Sequence, residues 1–188
     1  MEKHLGKDNS WGGIVLLRLF LGFFLASIGI VFMINANLGL SPWDVFHQGL
    51  TNIINITMGQ ANILVGIAVV IISMFLGVKI GIGTILNTIF IGIFIDLITM
   101  TNLIPISKNV FLGIIMLIIG MGFMSLGTCV YLKCELGCGP RDGLMTALTR
   151  ITKRPVKIIR MIIEIGALIC GYFLGGFVGI GTVITAVC

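Results

Sequence analysis

Two aspartates stand where an apolar chain tolerates them poorly. Asp44 closes the phrase LGLSPWD (38–44), and Asp142 closes LGCGPRD (136–142). Both phrases lie between long apolar stretches. A carboxylate in such surroundings can take a proton, hold a cation, or satisfy free backbone N–H groups. Arg141 adjoins the second aspartate. Arg160 and Glu164 are four residues apart, one helical turn, so they can pair on one face. That pair reads either as a structural bridge or as a charge relay. His47 adds a titratable ring near Asp44. No Ser–His–Asp arrangement accompanies it, and no HExxH pattern occurs. The cysteines at 129, 134, 138, 170 and 188 fit no paired metal motif. No cofactor, no metal and no enzymatic activity are expected. The chemistry on offer is binding or moving charge, with Asp44, Asp142, Arg141, Arg160, Glu164 and His47 as substrate- or ion-path residues.

The aspartates also have a plainer reading. Pro42 and Pro140 suit the first position of a helix, where the missing N–H costs nothing. Ser41 is a good N-cap, and Asp44 falls three residues later in the acidic slot of a capping box. Gly139, Pro140 and Asp142 repeat those places. The phrase is a helix-start device, a site lined by two acids, or both.

The helices so started are expected over about 42–55 and 140–153. Fourteen residues cover roughly 21 Å, too little to cross a bilayer core upright. On the first, Val45, Phe46, Leu50, Ile53 and Ile54 share one face. Asp44, His47, Gln48, Thr51, Asn52 and Asn55 share the other. Such a helix is interfacial, or re-entrant and lining an aqueous cavity. Trp43 suits an interfacial anchor.

Around them the chain is greasy. Of 188 residues, 57% are hydrophobic and 10% charged, with mean hydropathy +1.17. Soluble domains carry about 25% charged residues. Long apolar segments over about 12–34, 60–77, 81–100, 109–132 and 157–175 read as membrane helices. The first exceeds the apolar core of a signal peptide and is expected to stay in the protein.

The chain is also self-similar. A shift of 98 residues lays 19–90 on 117–188 without a gap, with 20 of 72 pairs identical. Composition alone would give about a third of that. LG-x-x-P-x-D, FLG and GIGT all match in this one register. The expected fold is therefore an all-α membrane protein of two inverted-topology repeats. Each repeat has three spans plus a short amphipathic or re-entrant helix. The chain divides into a cytoplasmic tail (1–11), repeat 1 (12–100), a linker (101–108) and repeat 2 (109–188). The last span, from 179, is cut short. Gly39, Pro42, Gly137 and Pro140 form the repeated helix starts. Gly81, Gly83, Gly179 and Gly181 form tight interhelical turns. A phosphate loop is disfavoured, because no Lys-Ser/Thr follows these glycines.

Charge sets the orientation. With the N-terminus inside, eleven of the twelve Lys and Arg residues fall on the cytoplasmic side and only Lys108 outside, as the positive-inside rule requires. Three spans per repeat then turn the second copy upside down, a plan common among secondary transporters. The lipid bilayer is the expected partner, with a small-molecule substrate and a homodimer compatible with the small size. The positive net charge is a topology signal, and no nucleic-acid partner is expected.

NLGLSPWDVFHQGL, LGCGPRDGLM, the spacing in IIRMIIEIG, and GYFLGGFVGIGTVITA together resemble the YczE-like, YitT-related bacterial integral membrane proteins. The resemblance covers about 15–188. It implies a multi-pass protein of the bacterial plasma membrane. A small secondary transporter or exporter is the leading expectation. A non-transporting scaffold or regulator acting through the basic loop 141–160 is the alternative.

Overall fold

The computed structural model describes residues 9–187, so the tail residues Lys3, His4 and Lys7 and the terminal Cys188 lie outside it. All regular structure among the described residues is helical: α1 (Asn9–Asn35), α2 (Pro42–Ile54), α3 (Met58–Phe75), α4 (Ile82–Thr101), α5 (Val110–Leu132), α6 (Pro140–Thr152), α7 (Val156–Phe173) and α8 (Ile180–Val187). The starts of α2, α3 and α4 and those of α6, α7 and α8 are 98 residues apart. The left-handed backbone positions obey the same shift: Asn37 and Glu135, Gly39 and Gly137, Asn55 and Lys153, Gly77 and Gly175.

Four helices are long and apolar enough to cross a membrane, within Gly12–Asn35, Met58–Phe75, Ile82–Thr101 and Val110–Leu132. The expected fifth, α7, has 18 residues but carries Lys157, Arg160 and Glu164. Its charge load, not its length, sets it apart from the four. The outward faces are apolar: Leu17, Phe75, Phe111, Ile118, Ile162 and Phe173 are each more than half exposed. In water a patch of that extent would drive association, whereas lipid tails suit it.

Packing pairs each half with the other. α1 lies along α5, α2 on α7, and α3 on α6 and α4. Small residues make the first contact close. A Cβ on Gly29 would overlap the backbone of Gly120 and Met124, and one on Gly127 would overlap that of Gly22 and Ala26. Such glycines let two helix backbones approach without a hydrophobic drive between them.

Two further ties are reciprocal. The Gly181 N–H donates to the Leu38 carbonyl at 2.7 Å, and the Gly83 N–H donates to that of Leu136 at 2.8 Å. Each GIGT turn thus starts its helix on the other half's LG phrase, a role beyond a simple turn. At the far end of the short helices, Asn52 Nδ2 donates to the Gly175 carbonyl at 2.9 Å. Its counterpart Arg150 donates to those of Leu76 at 2.7 Å and Gly77 at 3.2 Å. The linker is pinned too: Asn35 Nδ2 donates to the Ile104 carbonyl at 2.6 Å, and the Ser107 N–H donates to that of Asn35 at 2.8 Å.

Candidate functional site

The two helix starts have the same backbone and different side-chain chemistry. Ser41 is the N-cap of α2, in extended conformation, with Pro42 next. Its hydroxyl donates to Asp44 Oδ2 at 2.5 Å and accepts from the Asp44 N–H at 3.4 Å. Asp44 Oδ1 lies 3.4 Å from His47 Nδ1. Asp44 and His47 are both buried. Asp44 is therefore occupied by its own helix: one oxygen takes the serine hydroxyl, the other faces the imidazole. Gly139 is the N-cap of α6 and has no side chain to offer. A hypothetical Cβ there would meet Tyr131 Oη at 3.2 Å, Asp142 Oδ2 at 3.3 Å and Asn87 Oδ1 at 3.8 Å. Three oxygens converge on the place that Ser41 fills in the first copy.

Between the helix starts, the Arg141 guanidinium carbon sits 4.8 Å from the centroid of the Trp43 ring. A cation over an indole face is attracted by the ring quadrupole, which helps hold the guanidinium in place. Trp43 is thus no interfacial anchor. It is buried, and it packs with Val65 and Val69 of α3. The sequence put an aromatic next to a helix start, and that position turned out to face inward.

Arg160 Nε donates to Glu164 Oε1 at 2.9 Å on α7, as the four-residue spacing predicted. The close contacts between titratable side chains among the described residues are this one and Asp44–His47, the latter an ion pair only when the imidazole is protonated. Arg141 and Asp142 belong to neither.

These groups meet at one partly open cavity of about 610 Å³, lined by both halves of the chain. His47, Arg141, Asp142, Arg160 and Glu164 line it; Asp44 stands behind His47 and does not. Positions 98 apart often contribute together: Trp43 with Arg141, Asn62 with Arg160, Asn87 with Thr185. The apolar wall includes Met33, Met121, Met124 and Met145, flexible thioethers that adapt to irregular shapes. The short helices are thus built into the bundle. Even the polar face of α2 is used internally, where Gln48 Oε1 accepts the Phe177 N–H at 2.6 Å.

Sequence reasoning missed Asn62, Asn87 and Tyr131. Each lies on a largely apolar helix with no motif around it, and only the packing of α3, α4 and α5 brings it inward. It also missed the start of α3, where Thr57 and Gln60 form a capping box and Asp96 accepts from the Gly59 N–H at 2.9 Å. The signal was legible as Thr-x-x-Gln before an apolar run. Asp96, half-buried near the end of α4, closes that helix start.

Apolar helices around a polar internal cavity define a multi-pass helical membrane protein. The chain belongs to a family described as "Family of unknown function (DUF6198)", which matches residues 14–188. It is 34% identical over 169 residues to the "Uncharacterized membrane protein YczE" of Bacillus subtilis, covering 89% of this chain and 78% of that protein. It is also 34% identical over 162 residues to an "Uncharacterized protein" of Haemophilus influenzae, covering 86% of this chain and 73% of the relative. A third relative, the "Uncharacterized protein YyaS" of Bacillus subtilis, is 32% identical over 170 residues, covering 88% of this chain and 83% of the relative. The YczE-like resemblance read from the motifs is borne out. No solved structure matches the chain.

Proposed function

We propose that this protein is a small secondary transporter of the bacterial plasma membrane, with its N-terminus cytoplasmic and its two halves inverted. The observation that carries the reading is one polar cavity lined by both helix starts, with His47, Arg141, Asp142, Arg160 and Glu164 on its wall. Reciprocal ties between halves support it. When each half clasps the other through equivalent contacts, the two can exchange conformations and open the same site to opposite faces. Charge distribution supports the orientation. The reading involves no covalent chemistry.

Reconstitution tests it. Full-length protein in liposomes is expected to catalyse solute or proton flux, and Asp142→Asn and Glu164→Gln are each expected to reduce it. Absence of any flux, or both variants matching wild type, defeats the proposal. A scaffold acting through 141–160 predicts instead that Lys153 and Arg154, both exposed, are needed for partner capture while Glu164→Gln is silent. That reading has lost two of its residues, because Arg141 faces the cavity and Arg150 holds the α3–α4 turn.

A further inference from the structure

The charged groups around the cavity are not all held in contact pairs. Asp44 faces His47, and Arg160 pairs with Glu164. That leaves one cation, Arg141, and one anion, Asp142, both on the cavity wall and in neither pair. Arg141 sits over the Trp43 ring, and its guanidinium is a planar fork of N–H donors suited to a carboxylate. Asp142 has different surroundings. Its counterpart Asp44 receives a serine hydroxyl at 2.5 Å, but Gly139 supplies none. Tyr131 Oη, Asp142 Oδ2 and Asn87 Oδ1 instead cluster beside the Gly139 Cα, within 3.2–3.8 Å of where a Cβ would stand, and all three residues line the cavity. Three oxygens, one of them anionic, match the three donors of a primary ammonium group.

A low-dielectric cavity penalises any uncompensated charge. A lone anion would satisfy Arg141 and leave Asp142 bare; a lone amine would do the reverse. A dipolar ion compensates both. Most of the remaining wall is apolar, with Ile30, Val65, Val69 and Ile163 beside the methionines, and Asn62, Ser125, Thr128 and Thr185 add neutral polar groups. About 610 Å³ is ample for such a ligand, since small-molecule sites run from about 300 to 1,000 Å³.

We infer that the cavity binds an apolar zwitterion, an α-amino acid or close relative, with its carboxylate on Arg141 and its ammonium group among Asp142, Asn87 and Tyr131. This names the substrate class of the proposed transporter and rests on that reading for movement, though not for binding.

The test separates the two. Detergent-solubilised full-length protein is titrated with each standard L-amino acid, with binding read as thermal stabilisation. Two leucine analogues are run beside them: 4-methylpentanoate, lacking the amine, and 3-methylbutylamine, lacking the carboxylate. A neutral apolar amino acid is expected to bind about tenfold or more tightly than either analogue, the usual size of a lost charged hydrogen bond. Arg141→Gln is expected to lower that affinity by a similar factor. So is Gly139→Ser, which restores the internal hydroxyl of the first copy. Its new Cβ would press the ends of two side chains, Tyr131 Oη at 3.2 Å and Asp142 Oδ2 at 3.3 Å, which need to give only slightly; a melting temperature without ligand no lower than wild type verifies the fold. The inference is overturned if no amino acid binds, if either analogue binds as tightly, or if Gly139→Ser binds like wild type. Binding without flux in vesicles would instead retire the transport reading alone.

Discussion

Asp44 and Asp142 occupy the same position of a repeated phrase, yet one is spent on structure and the other is left on the cavity. The difference lies in two neighbours, the Ser41 hydroxyl and the His47 ring, whose counterparts are Gly139 and Met145. Ser41→Ala removes both the N-cap acceptor and the hydroxyl that Asp44 takes. It is expected to destabilise the protein by about 1–2 kcal/mol, measured as a lower melting temperature in detergent. Asp44→Asn keeps the cap geometry but removes the charge facing His47, so it is expected to cost more stability than Ser41→Ala in the same measurement. Larger loss from Ser41→Ala would mean that the hydroxyl, not the ion pair, holds this helix start. From sequence, the proline, the cap and the acidic third position were legible, because they are local. The inward direction of Trp43 was not, because it depends on α3 and α6.

Among the helices, packing rests on small residues and on backbone carbonyls that the opposite half satisfies. Gly120→Val places a branched side chain against Met33 and the Gly29 carbonyl. Overpacking of this kind costs about 1–3 kcal/mol, so the yield of folded, monodisperse protein is expected to fall sharply on size-exclusion chromatography. Arg150→Ala frees the carbonyls of Leu76 and Gly77. Hydrogen bonds from a charged donor are worth about 1.5–3 kcal/mol before solvent screening, and an exposed one less. A modest drop in melting temperature is expected, partly restored by Arg150→Lys. Helix boundaries could be read to within a few residues because the 98-residue shift let each half check the other. The exchange of partners, α2 on α7 and α6 on α3, could not. Nothing in a periodic apolar pattern says which neighbour a helix will choose.

For the whole molecule, orientation is the open dimension that charge addresses. In a cysteine-free background, Lys108→Cys is expected to react with an impermeant maleimide added to intact cells. Lys153→Cys is expected to react only after permeabilisation. The reverse labelling pattern would overturn the proposed topology. The contact between Trp43 and Arg141 carries a different message. These residues are 98 apart, so they hold equivalent places in the two copies, and they touch each other. In a dimer of identical half-length chains, an equivalent contact would set like against like: ring on ring, or cation on cation. A ring beneath a cation can be specified there only when the two positions are free to differ, as they are in a single chain. One chain carrying both positions can therefore encode a lopsided cavity, with one end chemically unlike the other, that two identical half-length chains could not.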